Sequence, residues 1–173
     1  MPKRIINCRI LPLLALLVLT ASSRSLASQR DELPRGQVIE SVACKADPQQ
    51  TYALYLPSGY SLEKKWPILY AWDAGARGKL PVTLFKDAAE KFGFIVVGSN
   101  NSRNGIQVSP IVQAVLEDTN GRFAIDPKRV YSAGFSGGAR LAFALAGSNP
   151  GAVAGVIACS GGFPSAAAPT PDL

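Results

Sequence analysis

The chain contains no histidine in its 173 residues. It therefore supplies no imidazole, the side chain that most often acts as a base near neutral pH, and lacks the commonest nitrogen ligand for a metal. Cysteine is scarce at three residues, none grouped at metal-ligand spacing. Neither a P-loop nor a G-x-G-x-x-G stretch occurs, so the phosphate-cradling loops of those motifs are excluded and no cofactor is expected. Charge is thin, at 17% against 47% hydrophobic residues, which is too apolar for a disordered chain. Glycine (16) and proline (13) are spread without a period, so collagen-like and coiled-coil architectures are excluded too. The length suits a single domain.

The surplus of positive charge is mostly local. Met1 to Ala27 opens with Lys3, Arg4 and Arg9, runs apolar from Ile10 to Ala21 and closes on Ser25-Leu26-Ala27, small residues where a signal peptidase reads. This is the pattern of a secretory signal peptide, with cleavage expected near Ala27 and a secreted or periplasmic product. The apolar run is shorter than the roughly 20 residues of a spanning helix, and Pro12 interrupts it. Cys8 precedes that run, which does not fit a lipid-bearing cysteine at the cleavage site, so no stable membrane anchor is expected. Without the leader the balance falls from +6 to +2, and no basic stripe with interleaved aromatics remains to suggest nucleic acid. Cys44 and Cys159 are then the remaining thiols, in a compartment that permits a disulfide, although the apolar run around Cys159 favours buried free thiols.

Residues 28–49 read as a polar, irregular segment, residues 50–164 as the folded domain, and residues 165–173 as an Ala/Pro-rich tail. Within the domain, Tyr52 to Leu56, Trp66 to Trp72, Phe94 to Ser99, Arg129 to Ala133 and Val153 to Cys159 have the apolar runs of strands. Between them, Val82 to Phe92 carries Leu84, Phe85, Ala88, Ala89 and Phe92 at helical spacing. Ile111 to Phe123 carries Val112, Val115 and Leu116 on one face, and Arg140 to Ala146 is a small-residue helix. Strands that are continuously apolar and alternate with helices predict an α/β fold, a mostly parallel sheet with helices on both faces.

One motif carries chemistry. Gly134-Phe135-Ser136-Gly137-Gly138 fits G-x-S-x-G between a strand and a helix, the context that makes Ser136 a candidate nucleophile on a strained turn. Glycine neighbours let the flanking segments approach closely, and the helix N-terminus behind the serine favours a developing oxyanion. The donors for that oxyanion are expected to be the N–H of Gly137 and one from the loop Asp73 to Gly78, with Ala74 and Gly75 the candidates. Asp73 either contacts substrate or merely closes its turn. The loop Asn100 to Gly105 should emerge on the same edge of the sheet, where α/β proteins bind ligands, making Asn101 and Arg103 candidates for substrate contact, with a solvated turn as the alternative.

Ile125-Asp126-Pro127-Lys128-Arg129-Val130-Tyr131 running into that motif resembles the α/β-hydrolase superfamily, most closely the secreted polyhydroxybutyrate depolymerase and feruloyl esterase-like serine esterases. The resemblance covers roughly Tyr52 to Pro164. It implies hydrolysis of a small-molecule or polymeric ester through a Ser136 acyl-enzyme, with a histidine base and an acid to orient it, and a structural role for Asp126. The family places acid and histidine after strands that follow the one containing Cys159. Here 14 residues follow Cys159, none is histidine, and Asp172 in the tail is a poor stand-in for the acid. The chain is accordingly expected to be an incomplete hydrolase, with negligible esterase activity alone and an exposed sheet edge. The alternatives are a secreted non-catalytic binding protein, or acyltransferase or peptidase chemistry on the same turn. Nothing in the sequence encodes an oligomeric state.

Overall fold

A computed structural model describes residues 33–162. The leader at 1–27, the tail at 165–173 and Asp172 lie outside the described residues. The chain order is β1 (Val38–Ala43), β2 (Thr51–Tyr55), β3 (Trp66–Trp72), α1 (Lys79–Phe92), β4 (Ile95–Ser99), α2 (Ser109–Arg122), β5 (Ile125–Phe135), α3 (Gly137–Ser148) and β6 (Gly155–Cys159). The strands form one sheet in the order β1-β2-β4-β3-β5-β6. β2 runs antiparallel to both β1 and β4, whereas β4, β3, β5 and β6 are mutually parallel.

Residue alternation divides the core into two layers. Ile68, Tyr70 and Trp72 of β3 pack with Val112 and Val115 of α2 and Ala142 and Leu145 of α3. Leu69 and Ala71, one residue out of phase, pack with Val82 and Ala89 of α1. Side chains of a strand point alternately to the two faces, so α2 and α3 cover one face and α1 the other. β3 therefore has no solvent face, which is why its seven residues are all buried and its sequence is a continuous apolar run. The α/β layering expected from the sequence is thus what the chain adopts.

Three expectations need correction. Residues 28–49 are not wholly irregular, because Val38–Ala43 forms β1. Its pairing with β2 shifts register between Ile39 and Val42, and such a bulged edge strand lacks the alternation that sequence periodicity detects. Next, α1 buries Val82 and Ala89, with Phe85 packed against the same cluster, and leaves Leu84 and Phe92 exposed. The helix carries two apolar stripes, and the sheet selects 82-85-89 over 84-88-92. Finally, β6 is not a buried strand: Ile157 is 51% exposed and Cys159 is exposed, since among the described residues β6 pairs with β5 alone.

Around the start of β5, Trp66 pairs with Ile125 and Ile68 with Val130, so the intervening β5 residues bulge out of the ladder. Asp126 closes that bulge, accepting from the Lys128 N–H at 3.0 Å and Arg129 Nε at 2.6 Å. Its role is structural, as the resemblance implied.

Candidate active site

The chain turns back at the centre of this sheet: β4 lies on one side of β3 and β5 on the other. In open α/β sheets a crevice forms at such a reversal, outside the carboxyl ends of the strands. The loops after β3, β4 and β5 all leave from that edge because those strands are parallel.

Ser136 stands between β5 and α3 at φ 54° and ψ −115°, a backbone region that side-chain-bearing residues rarely occupy. Surrounding structure holds it there. Its N–H donates to the Cys159 carbonyl at 2.9 Å, and its carbonyl accepts from Ala139 at 3.1 Å and Arg140 at 3.3 Å. A Cβ on Gly134 would overlap the backbone of Gly138, and one on Gly138 would overlap the Trp72 carbonyl. Glycine at these two positions is what lets β5, α3 and the end of β3 meet.

Ser136 is exposed, and its hydroxyl makes no hydrogen bond to any described residue. The Gly137 N–H, at the uncapped start of α3, likewise has no protein partner among the described residues. A buried or half-buried helix N-terminus without a cap is a site of positive potential and free donors.

The loop after β3 is shaped by Asp73. Its Oδ1 accepts from the N–H groups of Gly75 at 2.8 Å and Arg77 at 3.1 Å, and its two oxygens take Arg77 Nε and Nη2, each at 2.9 Å. The Arg77 guanidinium holds the carboxyl below the usual aspartate range, against partial burial that pushes it up. Asp73 therefore closes its turn, the second of the two roles its position allowed. The Gly75 N–H is consumed in that turn, whereas the Ala74 N–H has no partner among the described residues.

The loop after β4 divides likewise. Asn101 does not face the crevice: its Oδ1 accepts from the Thr51 N–H at 2.8 Å and its Nδ2 donates to the Gln49 carbonyl at 3.2 Å. It fastens the loop to β2, and its expected substrate contact is corrected to a structural one. Arg103 does reach the site. It bridges to Gly75, and the Asn104 N–H donates to the Ala74 carbonyl at 3.0 Å, so the loops after β3 and β4 meet beside the elbow.

These loops and α3 enclose an open cleft of about 360 Å³, walled by Ala74, Arg103, Asn104, Gly137 and Arg140 among others. Asn104 and Arg140 were not singled out from sequence. Arg140 had a readable signal, since it follows Ser136 by four residues and so lies one helical turn on. Asn104 had none: only folding brings its amide against Gly137.

No protein-family model matches the sequence, and no curated protein does. Solved structures match well. A thermostable esterase aligns over 74% of this chain and 41% of its own, at 14% identity and a TM-score of 0.59. FphF, a fluorophosphonate-binding serine hydrolase of Staphylococcus aureus, aligns over 74% and 58%, at 13% identity and a TM-score of 0.59. LpqC, a poly(3-hydroxybutyrate) depolymerase of Bordetella parapertussis, aligns over 63% and 45%, at 20% identity and a TM-score of 0.51. The chain thus spans about half the length of these proteins. At such identities the likeness establishes the fold, which is that of the α/β-hydrolases.

Proposed function

We propose that this chain carries the nucleophile of a secreted serine hydrolase acting on carboxylic esters. The observation that supports this reading best is the strained backbone of Ser136, since a side-chain-bearing residue held at φ 54° between a strand and a helix incurs a cost that a simple turn would avoid. Ser136 Oγ attacks the ester carbonyl carbon, and its proton leaves to a base. The N–H groups of Gly137 and Ala74 receive the oxyanion, and Gly75 drops out because its N–H serves Asp73. Collapse of the tetrahedral species breaks the bond to the alcohol oxygen, which takes the proton, and water then cleaves the Ser136 acyl-enzyme to acid and free serine. No step calls for a metal or an organic cofactor.

The base is not among these residues, because the chain has no histidine and no described group bonds to Ser136 Oγ. The proposal therefore assigns the base to an imidazole outside this sequence. The same observation favours a second reading, a secreted binding protein that keeps the elbow as scaffold. Export, in both readings, rests on the leader Met1 to Ala27. Among the fold neighbours an esterase and a depolymerase support ester chemistry, while a putative dipeptidyl aminopeptidase IV of Bacteroides ovatus keeps peptidase chemistry on the same elbow as an alternative.

Fluorophosphonate treatment of the native secreted protein, read by intact and peptide mass, decides between them. One label on the Ser136 peptide, on a protein heavier than 18.2 kDa, is the expected result. An unlabelled protein would overturn the enzyme reading.

A further inference from the structure

The cleft beside Ser136 has an uneven charge. Arg103, from the loop between β4 and α2, and Arg140, in the first turns of α3, both line it, and neither is in an ion pair among the described residues. Among the described residues the one carboxylate in the wall, Asp73, is already occupied by Arg77. Two guanidinium groups lining one cleft give it positive potential, which favours a bound anion. The free N–H groups at the start of α3 add potential of the same sign on the same wall. A further polar group is unsatisfied here: Ser102 also lines the cleft, is 1% exposed, and its hydroxyl oxygen is buried with no hydrogen-bond partner among the described residues. Buried hydroxyls are rarely left so unless a ligand or water meets them.

We propose that this cleft is an anion subsite, and that the substrates of the Ser136 site are esters whose acyl or alcohol part carries a free carboxylate, such as half-esters of dicarboxylic acids. Arg103 and Arg140 receive the carboxylate oxygens, for which a guanidinium offers paired donors. The ester bond then lies over the neighbouring elbow. The choice of an ester rests on the reading above, but the subsite itself does not depend on turnover.

Equilibrium titration of the full chain with monoethyl succinate and with diethyl succinate tests the idea, because the two probes differ in one carboxylate. The half-ester is expected to bind about ten-fold more tightly, as a charge-assisted contact should. That preference should shrink as salt is raised, persist in Ser136→Ala, survive in part in the Arg103→Lys/Arg140→Lys protein and vanish in Arg103→Gln/Arg140→Gln. Both arginines are exposed, so these proteins should keep the parent circular dichroism. Equal binding of the two esters, or a preference that outlives the glutamine substitutions, would overturn the proposal. Failure of Ser136 to take a fluorophosphonate would defeat the hydrolase reading and leave this titration interpretable.

Discussion

At Ser136 the backbone cost and the chemistry are inseparable, and substitution separates them. Alanine keeps the Cβ that makes φ 54° unfavourable, whereas glycine does not. Ser136→Gly should therefore be more stable than Ser136→Ala by about 1 kcal/mol in urea unfolding, the lower end of what such strain costs, while both lose the fluorophosphonate label. The glycines around it behave oppositely. Gly134→Ala would drive a Cβ into the Gly138 backbone, with no flexible side chain to give way. A loss of about 3 kcal/mol is expected, at the upper end of overpacking costs, and calorimetry would show it as a lowered Tm. The sequence made Ser136 and Gly137 visible because their types stand at a spacing with a mechanism, and Arg103 because its polar loop follows a strand and so lies at the ligand-binding edge. It could not separate Asn101 from Arg103, or Ala74 from Gly75. Each pair shares a loop, and what sorts them is which group the distant β2 or the neighbouring Asp73 carboxylate has already engaged.

At the scale of the elements, α2 is tied to the antiparallel end of the sheet through Asp118 and Arg122. Asp118 accepts from the Tyr52 hydroxyl at 2.7 Å, Arg122 Nε at 2.6 Å and the Lys45 N–H at 2.8 Å, while Arg122 Nη2 donates to the Ala43 carbonyl at 2.8 Å. The Asp118 and Arg122 side chains are only 2% and 10% exposed. Asp118→Ala would take the carboxylate from the buried Arg122 guanidinium and the acceptor from the buried Tyr52 phenol, and should destabilise by about 3 kcal/mol in denaturant titration. Burial pushes the Asp118 carboxyl up, but the donors from Arg122, Lys45 and Tyr52 outweigh it and hold the group below its ordinary 3.8. A carboxylate whose folded value is depressed contributes fully above its unfolded value and loses that contribution as pH falls through the folded one. Stability should thus be level above about pH 5 and decline below about pH 4, with a shallower decline in Asp118→Asn, as unfolding measured across that range would reveal. The elements were legible where burial is continuous, as in β3, and illegible in β1. In α1 the apolar pattern offered two stripes, and only the sheet decides which one it covers.

At the scale of the molecule, the two edges that the sheet has among the described residues differ. β1 is twisted out of regular register, a feature that discourages further pairing. β6 is regular and carries Ile157 at 51% exposure, next to Phe135 at 65% on β5. Such an edge recruits other strands, so the 173-residue chain should self-associate as its concentration rises, and Ile157→Lys should suppress this in light scattering. By itself the sequence determined the layered α/β class, the strand-elbow-helix around Ser136 and the lack of an imidazole base. Each of these is written in local pattern or in composition: apolar runs, a glycine-serine spacing, a residue type that does not occur. Only the tertiary structure decided that Asn101 is a strut and that Arg103 and Arg140 share one cleft. Those facts depend on hydrogen bonds and charges brought together across 37 or more residues of chain, as between Arg103 and Arg140, and no local pattern records which distant partner a group will meet.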